Sequence, residues 1–286
     1  MALQVESQAG ESASREELER VEIDLLLEGI YRRYGFDFRE YAPASLRRRL
    51  WRRIHAEGLQ SVSGLQEKVL HDAACMERLL LDLSINVTAM FRDPSFYLAF
   101  REKVAPLLRT YPFTRIWVAG CSTGEEVYSL AILLTEEGLY ERARIYATDI
   151  NEAVLDRARS GVFALDKMRV YTENYIRAGG TSAFSEYYVA AYDGAQFARP
   201  LVENVVFAQH NLVSDRSFNE FNVIVCRNVM IYFDRSLQAR VHRLFHESLA
   251  PFGVLALGHK ESVAFSPHSA DFEELDAAEK IYRRKG

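Results

Sequence analysis

Apolar and polar positions in the first 85 residues recur with helical spacing, and no stretch shows a two-residue period. Leu18, Val21, Leu25 and Ile30 offer an apolar face to a helix ending near Tyr34, and Ser14 with Glu17 reads as a capping box that starts it. Pro43 and Ser45 open a second helix. In it Leu46, Leu50 and Ile54 recur at every fourth position, while Arg47, Arg48, Arg49, Arg52 and Arg53 fill the other faces. Helical patterns follow near Val62–Leu70 and Ala73–Asp82. Asp93-Pro94 predicts a further start, with Asp93 as N-cap and Pro94 at the first helical position. Residues 1–13, small and polar, are expected to be disordered.

The period changes at Arg115. Ile116-Trp-Val-Ala119 is an apolar run of the buried-strand kind, followed by the turn Gly120-Cys-Ser-Thr-Gly124 and an acidic helix start at Glu125 and Glu126. Ile145–Thr148 reads as a second strand ending at Asp149, and Asn151–Ser160 as a helix capped by Gly161. The segment of about 168–202 breaks the rhythm. Tyr187-Tyr-Val-Ala-Ala-Tyr, a turn at Asp193-Gly194 and a strand-like return predict a small antiparallel insertion there. Val205–Phe207, Phe221–Cys226, Gly253–Gly258 and Ile281–Arg283 supply the remaining strands, and Ser236–Ala250 a helix. The expected fold is α/β: an all-helical domain at 14–85, then a Rossmann-like sheet at 86–286 that carries the β insertion.

Composition narrows the partners. The 286 residues are ample for one large and one smaller domain, and a net charge of −5 supplies no field that gathers nucleic acid. No apolar run approaches the length of a bilayer span, and the N-terminus lacks a basic-then-apolar leader pattern. Cys75, Cys121 and Cys226 are scattered without metal-ligand spacing and read as small buried residues in a reducing compartment. His242 and His246 stand i, i+4, yet Arg243 replaces the glutamate of a zinc H-E-x-x-H helix. These features predict a cytoplasmic protein with no bound metal, no nucleic acid and no direct membrane insertion; a monomer is the accompanying expectation.

Gly120 to Gly124 fits two chemistries. It satisfies the G-x-S-x-G pattern of a hydrolase elbow, with Ser122 as nucleophile and His259 as a late histidine. That elbow belongs on a strand preceded by others of the same sheet, and nothing before Arg115 is strand-like. The same segment also fits a nucleoside site. A small-residue turn after the first strand and an acid 25 residues beyond Gly124, at Asp149, suit a ribose with two hydroxyls. The third glycine of a dinucleotide fingerprint is missing, and Glu125 and Glu126 would repel a phosphate. Carboxylates there suit an ammonium or a sulfonium, as in S-adenosylmethionine, and equally suit plain stabilisation of a helix start.

Six segments carry a broader resemblance. Asn86-Val-Thr-Ala-Met-Phe-Arg92, Ala119-Gly-Cys-Ser-Thr-Gly-Glu-Glu126, Ala147-Thr-Asp-Ile150, His210-Asn-Leu212, Cys226-Arg-Asn-Val-Met-Ile-Tyr-Phe-Asp234 and Gly258-His-Lys-Glu261 stand in the order found in the CheR family of chemotaxis protein-glutamate methyltransferases, which the chain resembles. The resemblance implies methyl transfer from S-adenosylmethionine to glutamates on the cytoplasmic helical region of a chemoreceptor, leaving S-adenosylhomocysteine. It also implies roles: Asn86, Thr88 and Arg92 at the methionine end of the cofactor, Glu126 on its ammonium, Asp149 on the ribose, Asn211 and Leu212 about the adenine. Arg227 and Asn228, at the end of the central strand, would also bind the cofactor. Arg92 and Tyr232 would serve the reaction itself, and the arginines at 47, 48, 49, 52 and 53 would dock an acidic receptor helix. By default such arginines form a solvated helix face. Val127 replaces the family's usual proline and Lys260 its usual serine. A non-catalytic module that keeps cofactor affinity is the alternative in a different class.

Overall fold

The computed structural model describes residues 2–84, 88–191 and 194–286, with side chains described from Ser14 onward, Ala191 excepted. The chain divides into two units. The first comprises Met1–Ile85 together with Tyr232–Asp234. Its helices are α1 (Ala2–Tyr34), α2 (Pro43–Ala56), α3 (Val62–His71) and α4 (Ala73–Leu83). Ser61 caps α3 by accepting from Gly64 N at 3.1 Å, and Asp72 caps α4 by accepting from Ala74 N at 2.9 Å. Leu26, Leu27 and Ile30 of α1 are buried with Leu50 and Ile54 of α2 and Leu65 of α3.

Two expectations about α1 fail. Ser14 does not start the helix, and residues 2–13 continue it instead of being irregular. Eight of the twelve are Ala, Gln, Glu or Leu, with Gly10 the main unfavourable residue, so propensity favours extension over a cap. The expected apolar face is also rotated: Leu18, Val21 and Leu25 are exposed, while the next positions, Leu26 and Leu27, are buried. Packing on α3 sets the phase, and the Tyr34 hydroxyl fixes it by donating to Val69 O at 2.7 Å. Tyr232–Asp234 joins this unit through backbone bonds. Ala42 N donates to Tyr232 O at 2.9 Å, Asp234 N donates to Glu40 O at 3.0 Å, and Tyr41 pairs with Phe233.

The second unit, Asn86–Ile231 with Arg235–Gly286, opens with α5 (Pro94–Ala99), a π-helical stretch at Phe100–Val104, and α6 (Ala105–Leu108). Then come β1 (Thr114–Ala119), α7 (Glu125–Glu136), β2 (Ala143–Asp149), α8 (Glu152–Ser160), β3 (Val162–Ala164), α9 (Met168–Arg177), β4 (Tyr188–Ala191) and β5 (Gly194–Phe197). The chain closes with β6 (Val205–Gln209), β7 (Phe221–Cys226), α10 (Arg235–Ser248), β8 (Leu249–Leu257), β9 (Phe272–Asp276) and β10 (Ile281–Arg284).

The main sheet has seven strands in the order β6-β2-β1-β7-β8-β10-β9. The five from β6 to β8 are parallel and β10 runs antiparallel to both neighbours. β1 is buried at Ile116, Trp117 and Val118, as its unbroken apolar run predicts, and the Trp117 indole donates to Thr148 Oγ1 at 2.8 Å. The insertion is a three-stranded antiparallel sheet, β3-β5-β4, that begins at Val162 and contains α9, so it starts before the expected residue 168. Asp193 of the expected turn lies outside the described residues, as does Asn86.

Candidate functional site

The chain runs from β1 to β2 and β6 on one side, then returns to place β7 on the other. The ends of β1, β2 and β7 therefore meet at a topological switch point, where open parallel sheets bind ligands. The turn after β1 is built around absent side chains. Gly120 has φ 78°, and a Cβ there would lie 2.5 Å from Val229 Cγ2. Gly124 has φ 97°, and a Cβ there would lie 2.8 Å from that of Ala158. Gly120 N and Cys121 N both donate to Thr148 O, at 2.8 and 2.9 Å, which ties the turn to β2.

Asp149 sits at the end of β2 with its carboxylate already oriented. Ser122 N donates to Oδ2 at 2.9 Å and Asn151 N to Oδ1 at 3.1 Å. Burial pushes this carboxyl upward, and the backbone N–H groups pull against it. Ile150 N–H is a third backbone donor to this carboxylate, which leaves one lone-pair direction for a ligand hydroxyl. The hydrolase reading finds no support here: Ser122 has φ 51° and serves Asp149 with its backbone, while His259 bonds Glu279 at 2.8 Å.

The two acids that start α7 separate in role. Glu125 is buried and occupied, accepting from Thr123 Oγ1 at 2.6 Å and from the Tyr171 hydroxyl at 3.2 Å. Glu126 is the one left for a ligand, and it is held by Arg227, whose Nη1 donates to Oε1 at 2.7 Å. Arg227 is not a surface contact. Its Nη2 donates to Asp93 Oδ2 at 2.8 Å and to Arg92 O at 3.2 Å, and its guanidinium lies 4.1 Å over the Phe96 ring. Burial opposes its charge, but Glu126, Tyr97 and Asp93 raise its pKa overall. Arg227 thus joins the acid of α7 to the Arg92 turn and braces both.

That turn is strained. Phe91 and Asp93, on either side of Arg92, have φ 49° and 56°, conformations that cost about 1–3 kcal/mol each and persist only where neighbours enforce them. Here Phe91 N donates to Ser129 Oγ at 2.8 Å and Asn174 donates to Met90 O at 3.1 Å, fastening the segment to α7 and α9. Asp93 therefore makes no side-chain cap on α5, contrary to expectation, because its carboxylate is engaged by Arg227. Arg92 and Thr88 are half-buried. Asn211 and Leu212 follow β6. Asn211 Oδ1 accepts from Val213 N at 2.9 Å and its own N donates to Asp215 Oδ2 at 2.8 Å, a turn that sets Leu212 beside it.

Asn228 has φ 61° at the end of β7, and its N–H donates to the buried Glu261 at 2.9 Å. Glu261 was legible in its motif but not in its role. Tyr232 belongs to the helical unit, with the Arg49 guanidinium 4.6 Å from its ring. The arginines of α2 are mostly engaged. Arg47 pairs with Glu19 at 2.6 Å, Arg52 with Asp82, and Arg53 with Asp82 and Glu57. Arg49 is 4% exposed, bonding Leu83 O and Ser45 Oγ, so it packs helices and cannot be the exposed docking cation expected. Among the described residues no ion pair involves Arg48, which is exposed. His246 faces His268 and Asp271, not a helix partner: the two rings stack at 4.1 Å and both meet Asp271 Oδ2, at 3.2 and 3.3 Å. Burial pushes His242 down to about 4.

A turn without room for Cβ, a pre-set carboxylate and one available acid fit a nucleoside that carries a cation and no phosphate. Comparison with known proteins agrees. Residues 86–281 match the family described as CheR methyltransferase, SAM binding domain, and residues 21–84 match CheR methyltransferase, all-alpha domain. A Pseudomonas putida protein provisionally named methyltransferase Cher3 is 52% identical over 264 residues, covering 92% of this chain and 97% of that protein. Chemotaxis protein methyltransferase of Salmonella typhimurium is 32% identical, covering 82% and 81%. Chemotaxis protein methyltransferase 2 of Pseudomonas aeruginosa is 31% identical, covering 87% and 89%.

Proposed function

From the premise that the chain belongs to the CheR methyltransferase family, we infer that it methylates glutamate side chains of chemoreceptors, using S-adenosylmethionine. The observation that carries this reading to the chain's own residues is the junction of Asp149, Glu126 and the Arg92 turn around one switch point. When bound, the cofactor supplies a sulfonium methyl group that an anionic oxygen can accept.

Asp149 accepts from a ribose hydroxyl, and Glu126 accepts from the cofactor ammonium. Arg92, with Thr88 and Asn86 beside it in sequence, meets the methionine end. Asn211 and Leu212 border the adenine, and Asn228 closes the pocket after β7. A glutamate acceptor is ionised at neutral pH, its reference pKa being about 4.3, so no general base is required. Transfer neutralises that anion, and a site that excludes water and fixes the line of approach favours such a loss of charge. Tyr232 orients the acceptor carboxylate. Arg48 and the outer faces of Arg47 and Arg52 attract an acidic receptor helix, a contribution to encounter more than to affinity.

The protein acts in the cytoplasm as a monomer. Among the described residues no helix is long and apolar enough to cross a membrane. Calorimetry with S-adenosylhomocysteine tests the cofactor assignment, and absence of binding overturns it. Radiolabelled methyl transfer to receptor cytoplasmic fragments separates the enzyme from a cofactor-binding module without activity.

A further inference from the structure

We propose that Glu261 is a positioning residue for the cofactor, acting through the Asn228–Met230 turn that it holds against Gly120. The proposal rests on the methyltransferase reading of the site.

Four backbone N–H groups converge on this one carboxylate. Oε2 accepts from Asn228 N at 2.9 Å and Gly258 N at 2.7 Å, and Oε1 accepts from Val229 N at 2.9 Å and Met230 N at 2.7 Å. The side chain is buried, and burial pushes its carboxyl upward while these same N–H groups oppose the shift. A carboxylate can accept along four lone-pair directions, and no neutral side chain of that size offers as many.

The cradle is shaped for it. A Cβ on Gly258 would lie 2.7 Å from Glu261 Oε2 and 2.9 Å from Asn228 N, so the glycine leaves the space that the carboxylate fills. The bonds fix a turn whose first residue, Asn228, is left-handed at φ 61°, a conformation that asparagine tolerates. The next residue, Val229, occupies the space a Cβ on Gly120 would need, 2.5 Å from its Cγ2. Glu261 therefore ties the loop after β8 to the turn after β7, and that turn backs the bend after β1. The carboxylate itself lies behind the proposed cofactor wall and acts through the turn.

Glu261→Gln tests this with little change of shape. One amide oxygen replaces two carboxylate oxygens, and the amide NH2 faces two of the N–H donors, so one side of the turn loses its partner. The expected result is a rise of tenfold or more in the Kd for S-adenosylhomocysteine and in KM for S-adenosylmethionine, with KM for the receptor fragment unchanged. A merely structural residue would lower the unfolding midpoint and the active fraction without moving the cofactor constants, and that outcome overturns the proposal. Val229→Ala, which keeps all four bonds and removes the contact on Gly120, is expected to reproduce part of the rise. If Glu261→Gln does not fold, an unchanged Kd in Val229→Ala overturns the proposal by itself. Wild-type protein that fails to bind S-adenosylhomocysteine refutes the methyltransferase reading instead, so the two failures are distinct.

Discussion

Replacing Arg227 with alanine probes the brace beneath the site. Its side chain is 2% exposed, and the partners it would leave behind, Glu126 and Asp93, are 13% and 32% exposed. Removing one member of a buried ion pair costs about 3–5 kcal/mol, because the remaining charge is stranded. Both carboxylates here retain some water, which argues for the lower end, about 3 kcal/mol. In a folding unit of this size each kcal/mol moves the midpoint by roughly 2–4 °C, so a loss of about 6–12 °C is expected. The assay is thermal unfolding with and without S-adenosylhomocysteine. The transition that the ligand raises belongs to the unit that binds it. Cofactor affinity should fall as well, since Glu126 loses its orienting partner. Arg227→Lys, which keeps the charge but not the planar fork, should lie between the two. A midpoint within about 2 °C of wild type, or an unchanged Kd, would refute the bracing argument.

Arg92→Ala is expected to abolish methyl transfer while the unfolding midpoint stays near wild type; full activity removes Arg92 from the reaction. Asp149 has a raised pKa through burial, so its ionisation costs folding free energy that appears as pH rises through that pKa, whereas ribose binding needs the ionised form. Affinity for S-adenosylhomocysteine should therefore fall on acidification, and calorimetry on Asp149→Asn should show weaker binding with a flatter acid limb. Arg49→Ala should destabilise the helical unit by about 1–3 kcal/mol, the usual cost of leaving buried groups unpaired. Arg48→Ala should leave the denaturation midpoint unchanged and slow association with an acidic receptor helix, an effect that added salt erases. The reverse pattern would return Arg49 to the docking surface.

The sheet was legible because its strands are buried on both faces. Ile116–Ala119 and Phe221–Cys226 are apolar runs that no helix of that length would need. Short or half-exposed pieces were not: β3 is three residues long, and β9 carries Glu273 and Glu274 on an edge strand. The site residues stand in recognisable motifs, but the direction of a side chain is a tertiary fact. The family resemblance assigns Arg227 to the cofactor and Arg49 to a docked helix, and both are held by partners distant in the chain: Glu126 and Asp93 for one, Leu83 for the other. Glu261 was hidden for the same reason. Its partners are backbone N–H groups, which every sequence has and none displays.

Tyr232–Asp234, part of the helical unit, has a consequence for how the protein is made. Tyr41 and Phe233 pair across about 190 residues of chain, so the helical unit reaches its final set of bonds only after most of the second unit has been synthesised. Its four helices have local partners and can form early, yet Glu40 O and Ala42 N wait for a segment that leaves the ribosome late. A truncated product ending before residue 232 is left with an unfinished helical unit, and a fragment beginning at residue 86 carries Phe233 without Tyr41. Recombination between relatives is bound by the same rule: exchanging the first 85 residues means exchanging three more, far downstream.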